Sequence, residues 1–127
     1  MSGSIYVAKA YLLLNCPFSF KFLLFMTETG LLEQIEVITF NAKEDDYVRK
    51  KAKLEDLLGS EISFPTVEIE QGIYKSDSDS LIDHYSKKNG IINEKLVTLE
   101  YYKNGIFGEI IHLFKENRAL KSKMSGS

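Results

Sequence analysis

A chain of 127 residues with 44% hydrophobic and 27% charged residues is long enough for one domain with a full core and too short for two. Its formal net charge of -2 gives no electrostatic basis for binding nucleic acid. A single cysteine excludes an intrachain disulfide and a zinc site built from several thiolates. The two histidines, His84 and His112, fall in different predicted helices, so we expect no metal site.

The sequence shows no signal peptide, and a free thiol suits a reducing compartment, so we expect a cytoplasmic protein. The most apolar stretch, Tyr11–Met26, falls short of the about 20 apolar residues that a membrane-spanning helix needs. Four residues interrupt it, namely Asn15, Pro17, Ser19 and Lys21. We therefore expect a buried strand followed by a core helix, and no membrane span. The terminal stretches 1–4 and 125–127 are interpreted as flexible tails.

The first half of the chain predicts alternating strands and helices. The elements are a central strand over Tyr6–Leu14, a helix over Pro17–Thr29 closed by Gly30, a strand within Leu32–Phe40 and a helix over Asp45–Leu58 ended by Gly59. The first helix is apolar nearly all round, which predicts cover on two sides by further helices or by a partner subunit. In the second helix we expect five residues to face inward: Val48, Ala52, Leu54, Leu57 and Leu58.

The second half predicts a hairpin and then helices. A strand over Phe64–Glu70, a turn at Gln71-Gly72 and a strand over Ile73–Lys75 form the hairpin, and the cap-rich run Ser76–Ser80 opens a helix that ends near Asn89-Gly90. The last third, Asn93–Lys123, has no obvious strand, and Asn104-Gly105 divides it into two helices. We therefore predict an α/β domain over residues 5–90 and a helical extension over residues 91–123 that packs on the same domain.

The single cysteine lies between the first strand and the first helix. Pro17 suits the first helical position, where its missing N–H costs nothing. The Cys16 sulfur would then lie among unpaired backbone N–H groups at the positive end of the helix dipole, which favours the reactive thiolate. Ser19, one turn further on, can turn its hydroxyl towards the sulfur. The alternative is a buried thiol that acts as a small hydrophobic side chain.

Three motifs carry a family resemblance. Cys16-Pro17-Phe18-Ser19 resembles the C-P-[FY]-C motif of glutaredoxins with serine in place of the second cysteine, and it is also similar to the C-P-F motifs of omega-class transferases and chloride intracellular channel proteins. Phe64-Pro65-Thr66-Val67 resembles the family's strand led by a cis-proline. Ser78-Asp79, followed by Ile82 and Tyr85, resembles the helix start that holds the γ-glutamyl end of glutathione. Over roughly Tyr6–Asn89 the chain thus resembles glutaredoxins and the N-terminal domain of glutathione transferases.

The resemblance implies a thioredoxin-like fold, βαβαββα with a mixed four-stranded sheet, here followed by a helical extension. It implies that glutathione is a co-substrate, that Cys16 is the nucleophile and that Ser19 assists it. It implies that the backbone on the Val67 side of Pro65 lies beside the sulfur, where an extended thiol peptide could add as a short strand. The glutathione-binding residues that it implies are Pro17, Phe18, Phe64, Pro65, Thr66, Val67, Ser78 and Asp79.

Two points of the implied site stay open. The side chains of Ser78 and Asp79 would take the carboxylate and the amine of the ligand, but another serine–aspartate pair within Ser76–Ser80 could occupy that register. We prefer Ser78-Asp79 because its spacing to Ile82 and Tyr85 is better. The same residues serve equally well as helix caps.

The chain also departs from these families. Without a second cysteine, Cys16 cannot close an internal disulfide, which leaves a monothiol route through a mixed disulfide with glutathione. The basic residue that many glutaredoxins carry just before the cysteine is absent. Only Asn93–Lys123 follows the domain, so we expect the second-substrate pocket of a full transferase to be missing or supplied by a partner chain.

Three functions are compatible with these features. The first is a glutathione-linked monothiol oxidoreductase or a transferase-like protein. The second is a non-catalytic binding module, in which the apolar C-terminal helices contact a second copy or another protein unless they cover the first helix of their own chain. The third is an iron–sulfur role, which Pro17 disfavours because such monothiol glutaredoxins usually have glycine at that position.

Overall fold

The computed structural model describes residues 6–125, and side chains over residues 6–120. Its strands and helices are β1 (Ala8–Leu13), α1 (Pro17–Glu28), β2 (Ile35–Phe40), α2 (Tyr47–Leu58), β3 (Thr66–Glu70), β4 (Ile73–Ser76), α3 (Ser78–Asn89), α4 (Val97–Asn104) and α5 (Ile106–Ser125). Short 3₁₀ turns precede β2 and α4. The two predicted tails lie outside the described residues, except that α5 continues through Ser125.

The four strands form one mixed sheet in the order β2-β1-β3-β4. Strand β1 pairs in parallel with β2 and antiparallel with β3, so that Ala10 lies opposite both Val37 and Val67. Strands β3 and β4 form the predicted antiparallel hairpin. The predicted thioredoxin-like α/β fold with a C-terminal helical extension is therefore confirmed.

Residues of β1 alternate between two hydrophobic cores, one on each face of the sheet. Ala10 and Leu12 belong to the larger core, which contains residues from α1, α3 and α4. Tyr11 points to the opposite face, where it packs with Phe40 of β2 and Leu54 of α2. This period of two residues is the expected result of burying a central strand on both sides. Burial on both faces fixes the orientation of β1, and therefore the position of the turn that leads from β1 to Cys16.

The predicted ends of the first three helices agree with the structure to within two residues, whereas the helical stretch predicted from Asn93 begins as α4 at Val97. Pro17 is the first residue of α1, and Gly59 and Gly90 follow α2 and α3 in the left-handed conformation, with φ of +77° and +64°. A residue with a Cβ atom adopts this conformation only at a cost, so glycine marks these ends in the sequence.

The prediction for the inward face of α2 was wrong at three positions. Leu54 is buried and Leu58 packs beside it, but Ala52 is exposed and Val48 and Leu57 are 75% and 70% exposed. The stripe that meets the sheet runs through Tyr47, Leu54 and Leu58, which is narrower than the apolar content of the helix suggests. Val48 and Ala52 lie well round the helix from this stripe.

A carboxylate at the end of α1 caps the start of α4. Glu28 accepts hydrogen bonds from the backbone N–H groups of Thr98 at 2.8 Å and Leu99 at 2.9 Å. These groups belong to the first turn of α4, where N–H groups have no partner within the helix. Because the carboxylate is charged, it also interacts favourably with the positive end of the helix dipole. Glu28 thus joins the C-terminal extension to α1.

We predict that Glu28→Gln lowers the free energy of unfolding by about 1–2 kcal/mol, since the amide replaces two charge-assisted acceptors with one neutral oxygen. Chemical denaturation measures this change. Glu33→Gln is the matched control, because Glu33 is exposed and should leave stability within about 0.5 kcal/mol of the parent. Equal effects of the two substitutions would contradict a capping role for Glu28.

Candidate functional site

Cys16 lies in the short turn between β1 and α1. Its backbone N–H donates to the Leu13 carbonyl at 3.2 Å, and the preceding Asn15 adopts a φ of +67°. Asparagine tolerates this left-handed conformation better than most residues with a Cβ atom. The resulting tight turn puts Cys16 at the N-cap of α1 with its side chain partly exposed.

The sulfur faces a carbonyl group. Cys16 Sγ lies 3.9 Å from the Phe64 oxygen, within the range for a thiol that donates a weak hydrogen bond. The side chain accepts no capping hydrogen bond from the first turn of α1, although the sequence predicts that these N–H groups surround it. These N–H groups belong to the turn that directly follows Cys16, which is the N-cap residue of α1. The site therefore places a thiol between a carbonyl acceptor and a helix N-terminus.

Ser19 has a different contact from the predicted one. Its hydroxyl oxygen accepts a hydrogen bond from the Leu13 N–H at 3.0 Å, and its side chain is buried. Among the described residues, no hydrogen bond joins Ser19 to the sulfur. Ser19 thus fixes the start of α1 to the end of β1, which positions Cys16. Whether it also assists catalysis stays a prediction.

The segment before β3 adjoins the sulfur, but through a different residue from the one that the sequence suggested. The Phe64–Pro65 bond is cis, as the resemblance implies. Val67 is fully buried and pairs with both Ala10 and Lys75, so its backbone is not free to bind a peptide. The backbone beside Cys16 is that of Phe64.

Thr66 forms hydrogen bonds within the protein rather than presenting a free side chain. It is fully buried, and its hydroxyl hydrogen-bonds to the Ser63 carbonyl and to the Ser76 hydroxyl, which lies 2.6 Å away. Of the four predicted residues Phe64–Val67, Phe64 is the one whose carbonyl accepts the hydrogen bond from the sulfur.

The start of α3 lies on the other side of the same segment. The Asp77 N–H donates to the Pro65 carbonyl at 3.3 Å, and the Asp77 carboxylate caps α3 by accepting from the Ser80 N–H at 3.0 Å. Asp77 has a φ of +80°, a strained conformation for a residue other than glycine. Capping by this run is thus confirmed, and Ser78 becomes the first residue of the helix.

Ser78 has an unsatisfied hydroxyl group. The residue is 1% exposed, and its Oγ atom has no hydrogen-bond partner among the described residues. A buried hydroxyl without a partner costs roughly 1–3 kcal/mol, so most proteins avoid one. Its position at a helix N-terminus is suited to an anionic group.

Asp79 binds a lysine that the sequence analysis did not assign to the site. Its Oδ1 atom lies 2.7 Å from Lys21 Nζ, and its own side chain is 78% exposed. The Lys21 side chain is only 4% exposed, and its charge also lies 4.5 Å from the centre of the Phe107 ring. Opposite charge and the aromatic face together compensate for the lost solvation of the ammonium group. In the sequence, the only indication of this ion pair was the position of Lys21 within the largely apolar first turns of α1.

The two remaining predicted residues contact the C-terminal extension. The Pro17 carbonyl accepts a hydrogen bond from the Tyr102 hydroxyl at 2.9 Å. The Phe18 ring packs edge-on against Phe107, with 5.4 Å between the ring centres. The first turn of α1 is therefore covered by α4 and by the first residues of α5. The idea that the extension covers α1 holds for this part of the chain.

An apolar cleft of about 540 Å³ opens on the side of Cys16 that faces β2. Cys16, Ser19 and Tyr102 are among the few residues with polar side chains in its wall. Its apolar wall includes Leu14, Phe20, Leu23, Val37, Ile106 and Ile110. Residues of this chain thus form a cleft beside the cysteine without a partner chain. The expectation about the second-substrate pocket of a transferase stays a prediction. The apolar and aromatic residues of the C-terminal extension, among them Tyr102, Ile106 and Ile110, were the only indication of this cleft in the sequence. Their position beside the cysteine depends on tertiary packing.

Tyr102 is buried between the cleft and the start of α1. Burial raises the pKa of its phenol above the ordinary value, and negative charge on Cys16 raises this pKa further. The neutral phenol is the form that donates to the Pro17 carbonyl. Tyr102 is therefore a neutral hydrogen-bond donor to Pro17, the residue that follows the candidate nucleophile Cys16.

Within residues 6–125 there is no group of three or more His, Cys, Asp or Glu side chains that could hold a metal ion. None of the helices in this range is long and apolar enough to cross a membrane.

Comparison of the chain with protein-family models, with curated proteins and with solved structures finds no significant match. The fold is thus shown by the coordinates alone. Membership of the glutaredoxin or glutathione transferase families stays a prediction.

We predict that Tyr102→Phe lowers the free energy of unfolding by about 1 kcal/mol at neutral pH, because the hydrogen bond to Pro17 is lost. The pKa of Tyr102 is higher in the folded state than in the unfolded state. Its contribution to stability is therefore fully present below pH about 10 and is lost as the pH rises through the folded-state pKa. The decline in stability above pH about 10 should be shallower in Tyr102→Phe.

Denaturation at a series of pH values measures both effects. Tyr101→Phe is the matched control, since its neighbouring ring is 81% exposed and should change neither the stability nor the slope. An unchanged alkaline slope in Tyr102→Phe would contradict the environment assigned to Tyr102.

Proposed function

We propose that the protein is a glutathione-linked thiol–disulfide oxidoreductase of the monothiol type, with Cys16 as its nucleophile. The observation that carries the proposal is the Ser78 hydroxyl at the N-terminus of α3, which is buried and has no hydrogen-bond partner among the described residues. Cys16 and the start of α3 contact neighbouring carbonyls of one segment, those of Phe64 and Pro65. A ligand that binds along Phe64-Pro65 would thus reach both the thiol and the free hydroxyl.

Glutathione fits the chemistry of these groups. Its γ-glutamyl carboxylate would accept hydrogen bonds from the Ser78 hydroxyl and from N–H groups in the first turn of α3. Its amino group would approach the Asp79 carboxylate, which is largely exposed although one oxygen contacts Lys21. The Phe64 backbone is the part of the segment that faces the sulfur and would align the cysteinyl portion. Asp77, at this helix start, has a strained backbone of the kind that clusters at ligand-binding sites.

The reaction follows from the presence of one cysteine. The Cys16 thiolate attacks the glutathione sulfur of a mixed disulfide, a bond forms between Cys16 and glutathione, and the other thiol leaves and takes up a proton. A second glutathione thiolate then attacks the bound glutathione sulfur. This step releases glutathione disulfide and regenerates the Cys16 thiolate, so each mixed disulfide that is reduced consumes one free glutathione as the reductant. A free thiol of this kind works in a reducing compartment, and we propose a cytoplasmic location.

The apolar cleft supplies a place for the other half of the substrate. It borders Cys16 on the side towards β2, away from the segment that contacts α3. We therefore propose that the leaving thiol carries an apolar group. A transferase-like reaction with an apolar electrophile would use the same cleft.

The alternative is a non-catalytic binding module. The observation in its favour is the exposed apolar surface of α5, where Leu113 and Phe114 are 56% and 47% exposed. In that case, Cys16 and the Ser78 hydroxyl would have no chemical role. The two functions differ in whether glutathione forms a mixed disulfide at Cys16.

Substitution of two buried serines of α3, Ser78 and Ser86, distinguishes a ligand contact from a structural contact. We predict that Ser78→Ala leaves the free energy of unfolding within about 0.5 kcal/mol of the parent or raises it, because no hydrogen bond in the protein is lost. The same change should slow formation of the glutathione adduct about tenfold, as expected for one lost hydrogen bond to a charged group. Intact mass after exposure to glutathione disulfide, sampled over time, measures this rate.

Ser86→Ala is the matched control. Ser86 is also buried on α3, but its hydroxyl donates to Asn93 Oδ1 at 2.7 Å. This change should cost about 1 kcal/mol of stability and leave the adduct rate unchanged. Cys16→Ser should form no adduct at all. Failure of the parent protein to form an adduct, or an equal rate in Ser78→Ala, would contradict the proposed site.

A further inference from the structure

The second half of α5 carries apolar side chains that no other part of the described chain covers. Residues 112–120 are all exposed, and the exposed fractions of Leu113, Phe114 and Leu120 are 56%, 47% and 58%. An isolated helical segment as short as residues 112–120 is only marginally stable in water without packing contacts. Exposed apolar stripes of this kind mark surfaces that bind another macromolecule.

The spacing of these residues is that of a coiled coil. We define the α5 stripe as Ile106, Ile110, Leu113, Asn117 and Leu120. Successive members are separated by four, three, four and three residues, which is the alternation that places side chains along one seam between paired helices. One member, Asn117, is polar. The stripe is therefore built to meet another helix.

We propose that this partner is α5 of a second copy of the chain, packed in parallel and in register to form a homodimer. In this arrangement Asn117 lies opposite Asn117 of the second copy, and the two amides can hydrogen-bond to each other. An Asn at a single position of this kind specifies register and two-stranded pairing at a cost in stability. Against an apolar partner, the same amide would be buried without a hydrogen bond. Only a partner with a polar group at the matching position avoids that cost, and a second copy has one.

Charge favours the parallel orientation. Glu109 and Glu116 directly precede Ile110 and Asn117, so both flank the α5 stripe on the same side. In an antiparallel pair, this side would face its own counterpart and would bring glutamates of the two copies together. Like charges placed opposite each other disfavour that arrangement. In a parallel pair, the glutamates face the other flank of the second helix, where Phe107 and Phe114 lie.

The stripe is continuous with the apolar cleft beside Cys16. Ile106 and Ile110 belong to both, so the second helix would pass the mouth of the cleft. Dimerisation would thus remove the exposed surface of α5 from water and narrow access to Cys16 from that side. The association itself requires no glutathione, and it holds or fails independently of the proposed function.

Sedimentation equilibrium of the full chain over a wide range of protein concentration tests the dimer. The parent should show a reversible monomer–dimer equilibrium, and Leu113→Lys should raise the dimer dissociation constant about tenfold or more. Lys115→Gln, an exposed change outside the stripe, should leave the constant unchanged. A parent that stays monomeric throughout, or a dimer that Leu113→Lys does not weaken, would overturn the proposal. At protein concentrations below the parent's dissociation constant, where both proteins are monomeric, Leu113→Lys should keep the parent's unfolding transition because Leu113 is exposed.

Disulfide trapping tests the register. In a Cys16→Ser background, Asn117→Cys should form a covalent dimer under mild oxidation, since the two introduced thiols would lie opposite each other. Lys115→Cys in the same background is the control and should form far less. Equal trapping at both positions, or none at residue 117 while the dimer is present, would overturn the parallel arrangement.

Discussion

Burial of α1 between the sheet and the C-terminal helices is the constraint on which the rest of the structure depends. Phe22, Phe25 and Met26 are fully buried in the larger core. Full burial of side chains of this size contributes roughly 1.5–3 kcal/mol each. An α1 covered on two sides can serve as the rigid support for a thiol at its first turn. The same burial explains why a helix so rich in phenylalanine occurs in a chain with an ordinary composition.

Polar contacts then set the position of α1 along its axis. Ser19 ties its first turn to β1, Tyr102 ties it to α4, and Glu28 joins its last turn to the start of α4. The ion pair between Lys21 and Asp79 fixes α1 relative to the start of α3. Each contact lies within one or two turns of a helix end, where backbone groups lack partners within the helix. The elements that surround Cys16 are thus positioned mostly by their termini.

Local signals in the sequence were enough to predict most of the fold. Pro17 fixes the start of α1, and the glycines at 30, 59 and 90 have positive φ at helix ends, which few other residues adopt readily. Gln71-Gly72 connects the hairpin as expected. These features depend on the conformational preferences of single residues and neighbours. The exposure of Val48 was not predictable in this way, because it depends on the angle at which α2 meets the sheet.

The candidate site was harder to predict for the same reason. The position of Cys16 follows from its neighbours in sequence, but its contact with Phe64 spans 48 residues. The contact between Pro17 and Tyr102 spans 85 residues. Motif matching assigned Ser19 to the sulfur and Asp79 to the ligand. In the structure Ser19 accepts a hydrogen bond from Leu13, and Asp79 pairs with Lys21 while its carboxylate stays largely exposed. Motif matching did single out Ser78, whose hydroxyl the fold leaves without a partner. A pattern of residue types cannot distinguish such contacts from ligand contacts.

We propose that Cys16, the Phe64-Pro65 segment and the start of α3 form one glutathione-binding site. The most direct measurement is an NMR titration of the full chain with S-methylglutathione, which cannot form a disulfide. We predict saturable shifts of backbone amide signals at Cys16, Thr66 and residues 77–80, with little change along α2. No saturable shifts, or shifts confined to α5, would contradict it.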